Sequence, residues 1–242
     1  MSMQSPEEYF RQSIANPVFK ALELYHKYKI EGLGNIPKKG RVIIAVNHSL
    51  ATYDAGLLFA AIAQRLGRMP RSLGDRLIFK MPKFSQFMSD LGVVEGNPLN
   101  AHELLNNEEL VIVAPGGMRE ALRPSTEKYR LMWKNRKGFA RLAIETQTPI
   151  ILAMCPLADD LYDVVESKIT KFLYQEFKVP LPICRGFGLT LIPRPIQLTH
   201  YLSKLIMPPK ISSSPEEAKE VLDRFHARLC IRAQKMMNDV VR

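Results

Sequence analysis

Three cysteines in 242 residues, Cys155, Cys184 and Cys230, are too few and too scattered for a disulfide framework, and no zinc-ligand spacing surrounds them. Their scarcity fits a reducing compartment, with the thiols as plain buried side chains. Long apolar runs are also missing. The longest, Ala55 to Ala63, falls well short of the roughly 18 to 20 residues that cross a bilayer, so membrane contact is expected to be peripheral. Glu7 and Glu8 stand where a secretory signal would carry its basic region, and no apolar core follows them. The expectation is a cytoplasmic protein without an export signal or a spanning segment. Acidic residues are in deficit: 24 Asp and Glu against 34 Lys and Arg leave a formal charge of +10, which favours anionic partners. No nucleic-acid-binding module or aromatic platform accompanies that charge, so nucleic acid is not expected. An anionic membrane face or a phosphorylated ligand is.

What is present is an ordinary globular composition, 46% hydrophobic and 24% charged, enough for one large domain with a helical appendage. Apolar bursts of strand length alternate with helical patterns, which is the signature of an α/β domain. Val42 to Val46, Leu110 to Ala114 and Pro149 to Met154 read as buried strands, and Asp54 to Leu66 and Gly138 to Glu145 as helices. Residues 6–31 read as a helix kinked at Pro17, with Phe10, Ile14, Phe19, Leu22 and Tyr25 at helical spacing. Such a helix either packs on its own domain or faces a membrane. Ser212 to Glu217 reads as the start of a helix running to the C-terminus. The expected organisation is an N-terminal helical arm over 1–31, an α/β domain over 32–210, and a C-terminal helix over 211–242 packed on that domain.

Functional loops in open α/β sheets lie at the carboxyl ends of strands. The first such loop runs Asn47-His48-Ser49-Leu50-Ala51-Thr52-Tyr53-Asp54. A histidine at the mouth of a sheet, with a carboxylate that can turn back to its ring, is the pair general-base catalysis needs. The plain alternative makes Asp54 a helix cap. The second loop is Pro115-Gly116-Gly117-Met118-Arg119-Glu120, whose glycines allow close backbone approach and whose Arg119 offers a planar fork. Its alternative is a tight turn with a surface Arg119 to Glu120 pairing. The glycines match neither the dinucleotide fingerprint nor the phosphate loop. No ligand cluster of metal-binding spacing is visible, so no metal is expected. His26, His102, His200 and His226 have no motif around them and read as structural. Two basic stretches, Arg65 to Lys83 and Lys128 to Arg141, are candidates for headgroup or coenzyme A phosphate contacts, or simply a solvated surface.

Taken together, NHSLATYD, LIFKMPKF, APGGMREAL and RKGFARLAIETQTPIILAMCP, in that order within Ile30 to Pro195, resemble the glycerolipid (lysophospholipid) acyltransferase superfamily. They most resemble its branch of transmembrane-protein-68-like and diacylglycerol acyltransferase type 2 enzymes. The resemblance implies a single glycerol-3-phosphate acyltransferase-like α/β domain, with a mixed β-sheet flanked by helices and helical segments at both ends. It implies an O-acyltransferase that moves a fatty acyl group from a thioester, acyl-CoA or acyl-carrier protein, to a hydroxyl of a glycerolipid, with no cofactor. Carried onto this sequence, His48 is the base and Asp54 its orienting carboxylate. Asn47, Gly116, Gly117, Arg119 and Glu120 are assigned to substrate binding. The chain departs from the phosphatidate-forming members in three places. Five residues rather than four separate His48 from Asp54, Gly116 stands where they have a glutamate, and Leu91 to Asn97 lacks their phosphate-binding arginine. That loss points to a neutral acceptor such as mono- or diacylglycerol. The rival readings are a non-catalytic lipid-binding protein and a lipid hydrolase; against the hydrolase, no G-x-S-x-G elbow exists in the chain.

Overall fold

Strands buried on both faces carry unbroken apolar runs, and three of this chain's runs form the middle of one sheet. The computed structural model describes residues 17–80, 82–165, 183–210 and 214–241. Its strands are β1 (Lys29–Glu31), β2 (Val42–Val46), β3 (Arg71–Gly74), β4 (Val93–Glu95), β5 (Leu110–Val113), β6 (Ile150–Met154), β7 (Asp163–Val165), β8 (Ile183–Arg185) and β9 (Thr199–Leu202). Its α-helices are α1 (Pro17–Tyr25), α2 (Tyr53–Leu66), α3 (Arg76–Phe79), α4 (Pro82–Asp90), α5 (Pro98–Asn106), α6 (Gly117–Ala121), α7 (Gly138–Thr146) and α8 (Pro215–Val241). Seven strands form a sheet in the order β1-β9-β6-β2-β5-β3-β4, and β7 and β8 form a separate antiparallel pair. All neighbours in the large sheet run parallel except β6 and β9, so the sheet is mixed. The fold is thus the α/β architecture expected, a mixed sheet flanked by N- and C-terminal helices.

Alternate side chains of the central strands enter two cores. Val42, Ile44 and Val46 of β2 face one way with Leu110, Ile112 and Ile151, under Leu58 and Ile62 of α2. Ile43, Ala45, Val111, Ile150 and Leu152 face the other, against Leu105, Phe139, Leu142 and the Leu222, Phe225, Leu229 and Met237 stripe of α8. Burial of side chains of this size contributes about 1.5–3 kcal/mol each, which is why these strands and helices hold together.

The N-terminal helix is shorter than expected. It ends at Tyr25, Lys27 takes a left-handed backbone (φ 44), and Lys29–Glu31 becomes an edge strand paired with Thr199–Tyr201 instead of continuing the helix. Phe19 is buried and Leu22 packs on the core, so this side of α1 covers its own domain. Phe10 and Ile14 lie outside the described residues, as do Ser212 and Ser213. Among the described residues, no helix is long and apolar enough to cross a membrane. Of the three cysteines only Cys155 is fully buried; Cys184 and Cys230 are half-buried, and all are free thiols.

Candidate active site

The carboxyl ends of β2, β5 and β6 meet at the loop Asn47 to Asp54. Asn47 is buried and splints two strands: its Oδ1 accepts from Cys155 N (2.8 Å) and its Nδ2 donates to the Cys155 carbonyl (3.3 Å). Its amide is spent on the scaffold and does not line the cavities at the site, contrary to its assignment to substrate binding. His48 follows. Its backbone N–H donates to Glu120 Oε1 (2.8 Å), and its ring Nδ1 lies 2.9 Å from the Ser49 carbonyl. A carbonyl only accepts, so the ring proton sits on Nδ1 and Nε2 keeps a lone pair. Burial pushes the His48 pKa down, with the Arg123 charge acting in the same direction against the Ser49 bond. The ring is therefore a neutral imidazole with a free basic nitrogen at ordinary pH.

Asp54 does not touch that ring. A short 3-10 turn, Leu50–Thr52, and a left-handed Thr52 (φ 56) consume the five intervening residues. They turn Asp54 inward in the first turn of α2. Thr52 holds the cap position, so Asp54 is not a plain cap either. Asp54 Oδ1 accepts from the Ser49 hydroxyl, so Ser49 stands between the carboxylate and the histidine. Asp54 Oδ2 is buried with no hydrogen-bond partner, and so is His200 Nε2, 3.7 Å away. His200 comes from β9, and its Nδ1 meets the Tyr28 hydroxyl (2.8 Å) beside β1. Burial raises the Asp54 pKa to about 7 and lowers that of His200 to about 3. Below neutrality the pair is a carboxylic acid facing a neutral imidazole. With Cys155 these residues place three donor atoms within 4.8 Å of one another, a cluster able to hold a metal ion.

The second loop packs against the first. Gly117 (φ 55) turns the chain into α6, and Glu120 points inward, fully buried. Its Oε1 takes the His48 N–H and its Oε2 the Met132 N–H (2.8 Å). A Cβ on Gly116 would collide with the Glu120 carboxylate, so the glycine vacates the room that this side chain fills. Burial raises the Glu120 pKa, opposed by Arg123 and the two backbone donors. Its cationic neighbour is Arg123 (3.7 Å), not the expected Arg119. Arg123 is buried, donates to the Arg130 carbonyl (2.8 Å) and pairs with Asp159, whereas Arg119 is exposed and lines neither cavity at the site. Asp159, Ser49 and His200 join the site with no motif in the sequence to mark them. A signal existed for Arg123: Gly116, Glu120 and Arg123, spaced by four and three, fall on one helical face.

Two cavities open at His48. One is an apolar chamber of about 460 Å³ whose walls include Phe19, Leu22, Leu57, Phe59, Leu91 and Ile112. The other is a small polar recess lined by Ser49, Glu120, Arg123, Lys128, Asp159 and Tyr162. His48 is on the wall of both. In the recess Arg123 pairs with Asp159, and Lys128 Nζ lies 2.9 Å from Asp160. The basic stretch Arg65 to Lys83 is also largely spent within the protein: Arg65 pairs with Glu23, Arg71 with Glu109 and Arg76 with Glu95, and Arg68 binds the Pro37 and Gly40 carbonyls.

Comparison with known proteins agrees with this architecture. The family model described as Acyltransferase matches residues 27–155. A Bos taurus protein named "DGAT1/2-independent enzyme synthesizing storage lipids" is 31% identical over 84% of this chain and 59% of its own length. Its Homo sapiens namesake is 30% identical over 74% of this chain and 53% of its own. The chain thus spans little more than half of these curated relatives. Among solved structures, the 1-acyl-sn-glycerophosphate acyltransferase PlsC of Thermotoga maritima superposes with a TM-score of 0.50 at 20% identity. That match covers 89% of this chain and 79% of the other.

Proposed function

This chain belongs to the acyltransferase family, and within it we propose that the protein moves a fatty acyl group from acyl-CoA to a hydroxyl of a neutral glycerolipid. The observation that carries the reading is the position of His48 at the junction of an apolar chamber and a polar recess. The chamber, about 460 Å³, lies within the roughly 300–1,000 Å³ of ordinary ligand sites, and its lining suits a fatty chain. The recess, about 20 Å³, has room for the reacting hydroxyl of an acceptor and little more. A thioester carbonyl at the junction brings its carbon within reach of an acceptor oxygen beside Nε2.

His48 Nε2 takes the proton of the acceptor hydroxyl as the oxygen bonds to the thioester carbonyl carbon. The tetrahedral intermediate collapses by breaking the carbon–sulfur bond, and the imidazolium returns its proton to the departing thiolate. Products are the new ester and free coenzyme A, with no acyl-enzyme needed. Glu120 is a positioning residue, holding the His48 backbone while Arg123 balances its charge. Asp54 is a positioning residue through Ser49, whose carbonyl fixes the ring tautomer. The Ser49 hydroxyl is buried and donates to Asp54 rather than to the histidine ring, which disfavours a serine hydrolase.

The neutral acceptor is supported by the recess cations, both already matched by carboxylates. A phosphate dianion must be desolvated and paired, and neither Arg123 nor Lys128 is free to pair it. The storage-lipid description of the mammalian relatives points the same way. The test is purified protein with labelled acyl-CoA and equal amounts of monoacylglycerol, diacylglycerol and lysophosphatidate in mixed micelles. Label is expected in di- or triacylglycerol. Preference for lysophosphatidate reverses the acceptor assignment, and label in free fatty acid alone reverses the transferase reading.

A further inference from the structure

Outside the site, the most conspicuous surface is the loop that follows β8. Phe187 (58% exposed), Leu189 (89%), Leu191 (72%) and Ile192 (56%) project from one short segment, with exposed Val165 and Ile183 on the neighbouring β7–β8 pair. Contiguous apolar side chains on an outer surface mark a contact face rather than incidental exposure. The backbone of this loop is largely closed on itself. Gly186 N donates to Thr190 O (2.7 Å), Phe187 N to Ile192 O (2.7 Å) and Thr190 N to Phe187 O (3.2 Å). The Thr190 hydroxyl donates to Phe187 O (2.8 Å) and accepts from Ile192 N (3.1 Å), which satisfies the one polar side chain of the tip. A Cβ at Gly186 would collide with the Ile192 carbonyl, so the closure depends on glycine there.

The base of the loop is cationic and anchored. Arg185 and Arg194 both pair with Asp163, and Lys128 bridges Asp160 and Asp163. Three cations thus face two carboxylates. The tip is also tied to the site: the Tyr162 hydroxyl donates to Leu191 O (3.2 Å), and Tyr162 lines the polar recess beside His48. Tyr25 of α1, the helix that walls the apolar chamber, donates to Pro193 O (2.6 Å).

We propose that the Phe187–Ile192 loop inserts into the outer part of a lipid bilayer and seats the mouth of the polar recess on the membrane surface. A tip entering lipid must satisfy its own backbone groups, since no water remains to do so. This loop closes part of its backbone in that way while presenting apolar side chains, above Arg185 and Arg194, which share the carboxylate of Asp163 and so leave positive charge for anionic headgroups. A strand-adding protein partner would instead need open backbone groups on the edge it docks to. The loop is a membrane-facing element separate from α1, whose Phe19 and Leu22 are committed to the core. It rests on the acyltransferase reading only for the lipid nature of the acceptor.

The test is binding of the purified chain to phosphatidylcholine vesicles with and without phosphatidylglycerol, scored by co-flotation and so independent of catalysis. Wild type is expected to bind both, more tightly with anionic lipid, and to retain part of its binding at high salt. Leu189→Asp with Leu191→Asp should weaken partitioning at least about tenfold with unchanged circular dichroism, because neither side chain supports the fold. A Leu189→Trp variant should show blue-shifted emission on vesicles, quenched by brominated acyl chains, over the constant signal of buried Trp133. Wild-type binding that survives the double aspartate variant, or tryptophan emission unmoved by saturating vesicles, overturns the proposal. So does loss of self-association, rather than of vesicle binding, in the double variant, which would assign the loop to a second copy of the chain. Failure of acyl transfer with vesicle insertion intact would count against the catalytic reading alone.

Discussion

Replacing His200 by glutamine should give the protein a pH-dependent stability that the wild-type pair hides. Burial places Asp54 at about 7, against 3.8 for an ordinary aspartate, and His200 at about 3, against 6.5 for an ordinary histidine. A carboxyl raised on folding contributes stability that is present below pH 3.8 and lost as pH rises toward 7. A histidine lowered on folding acts oppositely, because the unfolded chain binds the extra proton between pH 3 and 6.5. From pH 3.8 to 6.5 the folded pair holds one proton on Asp54, and the unfolded chain holds one on His200. The two states bind equal numbers, so the pair adds no slope. With glutamine at 200 only the Asp54 contribution remains, worth about 1.4 kcal/mol per pH unit. Stability of the variant relative to wild type should then fall by up to about 3 kcal/mol between pH 4 and pH 6.5. Urea unfolding followed by circular dichroism at several pH values reads this directly, and the other titrating groups cancel in the difference. Adding Asp54→Asn to His200→Gln should flatten the difference again. Parallel curves for wild type and His200→Gln would refute the charge states assigned to the pair.

Gly116→Ala should cost about 1–3 kcal/mol, because its methyl collides with Glu120, and the displaced carboxylate should lower acyl transfer as well; thermal melts and kcat check both. Arg123→Ala should destabilise by about 3–5 kcal/mol by leaving Asp159 and Glu120 buried without their cation, while Arg119→Ala, which breaks no such pair, should stay within about 0.5 kcal/mol in the same melts. Gly56 lines the apolar chamber, and a Cβ there would meet nothing within 4 Å, so Gly56→Leu should fold and shift acyl preference toward shorter chains. Each methylene excluded should forfeit about 0.8 kcal/mol, read from competition among acyl-CoA chain lengths.

The centre of the fold was legible because Val42–Val46, Leu110–Val113 and Ile150–Met154 are buried on both faces and so carry apolar runs without interruption. The edge was not. Lys29–Glu31 has one apolar residue, and Thr199–Leu202 mixes polar and apolar side chains, so neither β1 nor β9 shows a strand pattern. Missing those strands hid Tyr28 and His200, whose approach to Asp54 is a long-range pairing that no local spacing encodes. The His48 loop was legible from its place after a buried strand. Its internal wiring was not, because the left-handed Thr52 decides where Asp54 points, and threonine does not announce a positive φ. Arg119 drew notice over Arg123 because it adjoins the glycines. Four residues further along, the buried position belongs to Arg123.

The role of His48 as the base of an acyl transfer is measured most directly by single-turnover formation of neutral lipid ester by wild type and His48→Ala. General-base catalysis is worth roughly 10²–10⁴-fold, so the variant should lose at least about a hundredfold in rate with its fold intact. A His48→Ala rate within about threefold of wild type, about 0.6 kcal/mol of barrier, would contradict it.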